Sequence, residues 1–359
     1  MSDIRILEIN KEEFNNNILK IQEYVGDDIT IMPIIKSNGY GTYINKNLEL
    51  IKEFEIVGVA NADEGEVLRK IGYTNEIFVL NQPDKSEIET IIKNDLTIGI
   101  SEIEFVKMLN QYSDKIKVHL EIDTGMGRTG IQSEMVNEFI GLLGENIKVE
   151  GIYTHFSVAD CDLEYSQKQL ESFNSAIEEA QKLLEELKYK HSGASSGILN
   201  LRESYFNMVR PGIMCYGYKS CGDMYEKIDV KPIAKLKCKI TYIKDIEEGT
   251  SIGYGRTFIS DSKMKIATIP IGYADGLRRE LSNKGSVVIN GKKAKILGLV
   301  CMDSIMVDIS QIDNVKVGDY AYIWDNEIIT LEEVASQCGT INYEILCNIS
   351  DRVKREFIL

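Results

Sequence analysis

The stretch Ile31-Met-Pro-Ile-Ile-Lys-Ser-Asn-Gly-Tyr-Gly41 decides how the rest of the chain is read. A short apolar run ends at Lys36, and small or turn-forming residues follow at once. This is the pattern of a buried strand, with Asn38-Gly39 as its exit loop. Burial disfavours the ammonium form of a lysine at such a strand end, lowers its pKa and frees the amine as a nucleophile or base. Schiff-base chemistry needs such an amine. Taken alone, the stretch favours a lysine that has left the strand and points at water; residues elsewhere must change that balance.

Working outward, apolar runs recur at 56–60, 77–80, 96–100, 117–122, 149–154, 189–193 and 208–213. With the Lys36 run they number eight. Helical spacing fills 11–25, 63–70, 85–93, 103–111, 133–143 and 166–188. Strands alternating with helical patterns imply βαβ units around a parallel sheet, and eight of them predict a (β/α)8 TIM-like barrel over 1–225. A doubly wound open sheet is the alternative, weakened because no GxGxxG follows the first strand. Beyond about residue 225 the helical period stops. Short β-branched runs at 235–243, 266–269, 286–289, 295–297, 306–309 and 320–323 predict a C-terminal β domain over 226–359. Asn290-Gly291 marks a tight hairpin, and one short helix is expected at 331–337.

The 359 residues carry a formal charge of −15, which argues against nucleic acid or an anionic membrane as partner. No apolar run approaches the roughly 18 residues of a spanning helix, and the first residues lack a signal-peptide pattern. Seven cysteines without a CxxC pair fit reduced thiols in a cytoplasm, and three histidines make a metal centre unexpected. Active sites of such barrels lie at the C-terminal strand ends. Those ends carry Lys36 and Tyr40, then Glu121, Asp123 and Arg128, then His155, then Ser195 and Ser196, then Arg210 and Gly212. Small residues after the seventh and eighth strands would let a phosphate approach the backbone closely. A Schiff-base lysine and a phosphate cradle in one barrel suggest pyridoxal phosphate.

Seven motifs now point one way: Lys-Ser-Asn-Gly-Tyr-Gly (36–41), Asp-Thr-Gly-Met-Gly-Arg-Thr-Gly (123–130), Gly-Ile-Tyr-Thr-His-Phe (151–156), Val-Arg-Pro-Gly-Ile-Met-Cys-Tyr-Gly (209–217), Gly-Tyr-Gly-Arg-Thr (253–257), Gly-Tyr-Ala-Asp-Gly (272–276) and Cys-Met-Asp (301–303). In this order they resemble the alanine racemase family, from residue 31 to about 355. The resemblance implies a barrel that binds pyridoxal phosphate, a β domain, and a head-to-tail homodimer in which the partner's β domain completes each site. It implies an isomerase that interconverts L- and D-alanine and supplies D-amino acid for peptidoglycan. Lys36 is implied as the cofactor-bearing base on one face of Cα, and Tyr254 of the other subunit as the base on the opposite face. Such a pair removes and returns a proton on two sides. Arg210 matches the partner of the pyridine nitrogen, Arg128 the partner of the phenolic oxygen, and His155 a group that tunes the tyrosine. Ser195, Gly212, Ile213 and Tyr40 match phosphate contacts. Met302 and Tyr273 match substrate-carboxylate and entrance positions.

Two positions depart from the family pattern. Many members carry a carbamylated lysine where this chain has Glu121, which reads as a built-in anion for Arg128. A gate tyrosine is common where this chain has Asp351, before Arg352-Val353. A short acid there would enlarge the pocket and accept from a substrate hydroxyl, making serine a candidate beside alanine. A related decarboxylase, with Cys301 near the partner-donated site, and a lone-barrel cofactor carrier are the further alternatives.

Overall fold

The structure is a computed structural model and describes residues 3–220, 222 and 224–359. A first strand, β1 (Arg5–Asn10), leads directly into helix α1 (Lys11–Val25), whose first turn Asn10 caps by accepting from the Glu13 amide at 2.8 Å. The barrel then follows as β2 (Thr30–Ile31), β3 (Ile56–Val59), β4 (Glu76–Val79), β5 (Thr97–Ile100), β6 (Ile116–Glu121), β7 (Ile147–Tyr153), β8 (Tyr189–His191) and β9 (Met208–Val209). Strands β3 to β8 form a curled parallel sheet. β2 pairs parallel with β9, Ile34 bridges to Gly58, and Ala194 bridges to Arg210. All eight expected strands are present in order.

These strands are buried on both faces, which is why they read as unbroken apolar runs rather than alternating ones. Around them the helices hold their expected places with shifted ends. The longest spans Leu163–Gln181 rather than 166–188, because Asp162 accepts from the Tyr165 amide and starts it earlier.

The second half supplies eight strands of a nine-stranded, mostly antiparallel sheet. Its strands include β10 (Ala234–Lys239), β11 (Tyr242–Ile246) and, last in the chain, Lys354–Ile358. The expected single strand over 235–243 is therefore two strands, broken after Lys239. The hairpin at Asn290-Gly291 forms as read, with Ile289 opposite Lys292 and both turn residues at positive φ. A second short helix, Asn342–Cys347, joins the expected one at Leu331–Gln337. The strand β1 lies in this sheet, between β10 and Lys354–Ile358, and not in the barrel. No helix among the described residues is long and apolar enough to cross a membrane.

Candidate active site

Backbone hydrogen bonds carry the first barrel strand past β2. The Met32 and Ile34 amides donate to Val209 and Pro211, and the Ile35 amide donates to Gly58, each at 2.9 Å. Lys36 stands where this ladder ends. The exit is not an open loop but a left-handed turn, with φ of 55°, 53°, 60°, 53° and 76° at Ser37 through Gly41. Left-handed backbone costs about 1–2 kcal/mol for each residue with a side chain. Glu64 offsets part of this by accepting from the Ser37 amide at 2.7 Å and the Ala60 amide at 2.8 Å.

The turn aims Lys36 into a cavity of about 500 Å³ at the C-terminal ends of the strands. His155, Ser195, Arg210, Gly212, Ile213 and Tyr40 share its walls. Burial, followed by the Arg128 charge, lowers the Lys36 pKa. A Cβ on Gly212 would lie 2.4 Å from the Tyr40 hydroxyl, so only glycine lets that hydroxyl reach the cradle. Ser195 Oγ accepts from the Gly212 amide at 3.0 Å, fixing the two small-residue loops against each other.

Arg210 is 2% exposed, and both of its terminal nitrogens are engaged. Its Nη1 donates to the His191 carbonyl at 2.7 Å and to His191 Nδ1 at 2.8 Å. Its Nη2 donates to the Thr154 carbonyl at 2.7 Å, the Ser192 carbonyl at 3.1 Å and His155 Nδ1 at 3.4 Å. Guanidinium has no acceptor, so both imidazole Nδ1 atoms must be unprotonated. His191 then donates through Nε2 to His119 Nδ1 at 2.8 Å. Burial lowers Arg210 only to about 10, so it stays cationic at neutral pH.

The chain's three histidines thus sit in or beside one cationic network. Burial, aided by Arg210, pushes His119 and His155 down to about 3 and His191 well below its ordinary value. In the unfolded chain each would bind a proton near pH 6.5. Their contribution to stability is full above that pH and is lost as pH falls toward the folded values. The raised carboxyls of Glu76 and Glu121 act in the opposite sense. Urea unfolding followed by tryptophan fluorescence is expected to show the three histidines removing about 4 kcal/mol between pH 7.5 and pH 5.5. Replacing His119 with glutamine should remove about a third of that pH dependence.

The remaining expected residues lie elsewhere. Arg128 is exposed, on a loop held shut where Asp123 accepts from the Gly125 and Gly127 amides, both at 3.0 Å. Glu121 is buried behind it with Oε2 unpartnered among the described residues, and no ion pair joins it to Arg128 there. Burial raises its pKa, opposed first by Thr129 and then by the Arg128 charge. Asp351 is exposed, does not line the cavity, and accepts from the Tyr43 hydroxyl. Tyr254, Tyr273 and Met302 do not reach the cavity of their own chain and are 72%, 45% and 53% exposed. They cluster on the β domain. The Tyr273 amide donates to Cys301 at 3.1 Å and the Ala274 amide to Met302 at 3.0 Å, while Gly253 packs near Leu299.

The sequence reading missed Tyr343 and Cys347, which close the cavity from the C-terminal side. Both lie a few residues before Asp351, the only position of that stretch named from the sequence.

The N-terminal domain model of alanine racemase matches residues 9–220, and the C-terminal domain model matches residues 233–357. The chain belongs to the alanine racemase family. An alanine racemase of Halothermothrix orenii is 38% identical over 357 residues, covering 96% of this chain and 94% of the relative. The solved alanine racemase of Clostridium difficile 630 superposes with a TM-score of 0.94 at 35% identity, over 100% of this chain and 96% of that one. The solved Bacillus anthracis alanine racemase with bound L-Ala-P gives 0.92 at 31% identity, over 100% and 96%. Both halves of the family architecture are therefore present, barrel and β domain alike.

Proposed function

We propose that this chain racemises alanine in the cytoplasm with pyridoxal phosphate held at the barrel mouth, in a homodimer whose subunits complete each other's sites, and that it thereby supplies D-alanine for peptidoglycan. The observation that carries the reading is the convergence of Lys36, Tyr40, Arg210 and Gly212 on one cavity. The residues fit the cofactor. Tyr40, Ser195, Gly212 and Ile213 would hold its phosphate, in a cradle that any Cβ at position 212 would fill. Arg210 would face the ring nitrogen and Arg128 the phenolic oxygen. When bound, pyridoxal phosphate supplies an electron-withdrawing ring that takes up the pair left when a Cα proton departs.

The chain's own groups then divide the work. The lowered pKa of Lys36 makes its amine available as a base at neutral pH. Arg210, already donating to two histidines and three carbonyls, stays protonated and so offers the ring nitrogen a hydrogen bond without surrendering a proton. Neutral His155 adds no second positive charge beside it. The second base is Tyr254 of a neighbouring copy, because on its own chain it stands on the β-domain surface. The free cysteines among the described residues, Cys161, Cys215, Cys238, Cys301, Cys338 and Cys347, agree with a reducing compartment; Cys221 lies outside those residues.

Serine is not favoured as substrate, since the Asp351 carboxylate is engaged by Tyr43 and lies outside the cavity walls. A lone-barrel carrier is disfavoured by the full C-terminal match, and a decarboxylase by the racemase relatives. Incubating the purified protein with pyridoxal phosphate and either L-alanine or L-serine, then separating enantiomers, tests the proposal. Alanine should approach equal amounts of both hands. Enantiopure alanine after long incubation would refute the activity, and faster serine turnover would refute the substrate.

A further inference from the structure

Two positions after the left-handed turn from Ser37 to Gly41, Tyr43 is left-handed again, at a φ of 64°. Backbone of this kind persists only where its surroundings over-determine it. Glu64 secures its beginning, and its end is secured from the far end of the chain. Arg355 Nε donates to the Gly41 carbonyl at 2.9 Å. Its Nη1 donates to the Ser350 and Val353 carbonyls at 2.6 and 2.8 Å, and its Nη2 to the Ile349 carbonyl at 2.5 Å. The same guanidinium lies 4.5 Å from the centre of the Tyr43 ring. The Tyr43 hydroxyl donates to Asp351 Oδ1, across 308 positions of sequence. At Gly41 the two segments approach so closely that a Cβ would stand 2.3 Å from the Leu346 carbonyl.

We propose that Tyr43, Asp351 and Arg355 are positioning residues that clasp the Lys36 turn to the C-terminal segment and hold it left-handed. The segment so clasped is the one that brings Tyr343 and Cys347 to the cavity. The clasp therefore sets the Lys36 amine and the opposite cavity wall at once. Asp351 is exposed and Tyr43 only half-buried, so their bond adds little to global stability while its loss frees the turn. The link to cofactor binding rests on the function proposed above; the local ordering of the turn does not.

Hydrogen–deuterium exchange over residues 37–43, in the holoenzyme and after removal of pyridoxal phosphate, reads the clasp directly. Tyr43→Phe and Asp351→Ala are each expected to speed that exchange about tenfold, the worth of one hydrogen bond to a charged group. Cofactor dissociation should rise by a similar factor, with kcat lowered and KM for alanine little changed. Asp351→Asn keeps an acceptor and should preserve most of the protection. The double variant should be no worse than either single one, because both remove the same bond. Exchange in the barrel strands and the thermal midpoint should stay near the parent values. Unchanged exchange over 37–43 in Tyr43→Phe, or effects of the two substitutions that simply multiply, would overturn the proposal. A turn that loosens as expected in a protein that binds no pyridoxal phosphate would leave the clasp standing and remove the functional reading.

Discussion

Replacing Lys36 with alanine is expected to lower kcat for alanine by at least about 10⁴-fold, the upper range for loss of a positioned base. On the function proposed above the lysine would also form the covalent attachment to the cofactor, so the effect should not fall short of that figure. The cradle is independent of it: Tyr40, Ser195 and Gly212 are fixed by their own contacts. Equilibrium dialysis should therefore show that Lys36→Ala still takes up pyridoxal phosphate, while chiral chromatography shows no racemisation. Lys36→Arg should fail as well, because a guanidinium cannot surrender its proton at neutral pH. Activity of Lys36→Ala within roughly tenfold of the parent would remove Lys36 from the chemistry.

The second large effect concerns Tyr254. On one chain Tyr254 is 72% exposed and does not line the cavity, so the role proposed for it depends on a second copy. Tyr254→Phe should cost about 10³-fold in kcat or more, in the range for a general acid–base group. The decisive measurement mixes subunits. Lys36→Ala and Tyr254→Phe homodimers are each nearly inactive. After unfolding, mixing and refolding together, half of the dimers are mixed, and each mixed dimer has one intact site of two. Activity should return to about one quarter of the parent. No recovery, in preparations that light scattering shows to be dimeric, would place both bases on one chain and contradict the exposed position of Tyr254.

Much of the barrel was legible because its strands are short, β-branched and buried on both faces, so each stands out against the amphipathic helices. The strand-end residues were legible for the same reason, since a polar group closing an apolar run is conspicuous. The hand of the Lys36 turn was not. Asn38-Gly39 signals a turn, but Ser37, Tyr40 and Tyr43 at positive φ are packed against Glu64 and residues 346–355, which no local pattern contains. Asp351 was read as a pocket wall from a motif position alone; its true neighbour, Tyr43, lies 308 positions away. The break between β10 and β11 was hidden because residues 235–243 stay β-like throughout, and only the sheet pairing separates them. The β1 strand escaped notice because six residues with a mixed burial pattern do not declare which sheet they join.

That first strand bears on how the protein is made. The strand β1 is bonded on one side to β10 and on the other to the last strand, and Asp3 pairs with Lys354 at 2.7 Å, 351 positions apart. At about 5–20 residues per second of synthesis, residues 5–10 leave the ribosome tens of seconds before their final neighbour exists. Throughout that interval the segment is an unsatisfied edge tethered to a barrel that can already close behind it. Strand 354–358 therefore completes the seam begun by β1, so closure of the barrel does not by itself finish the native fold.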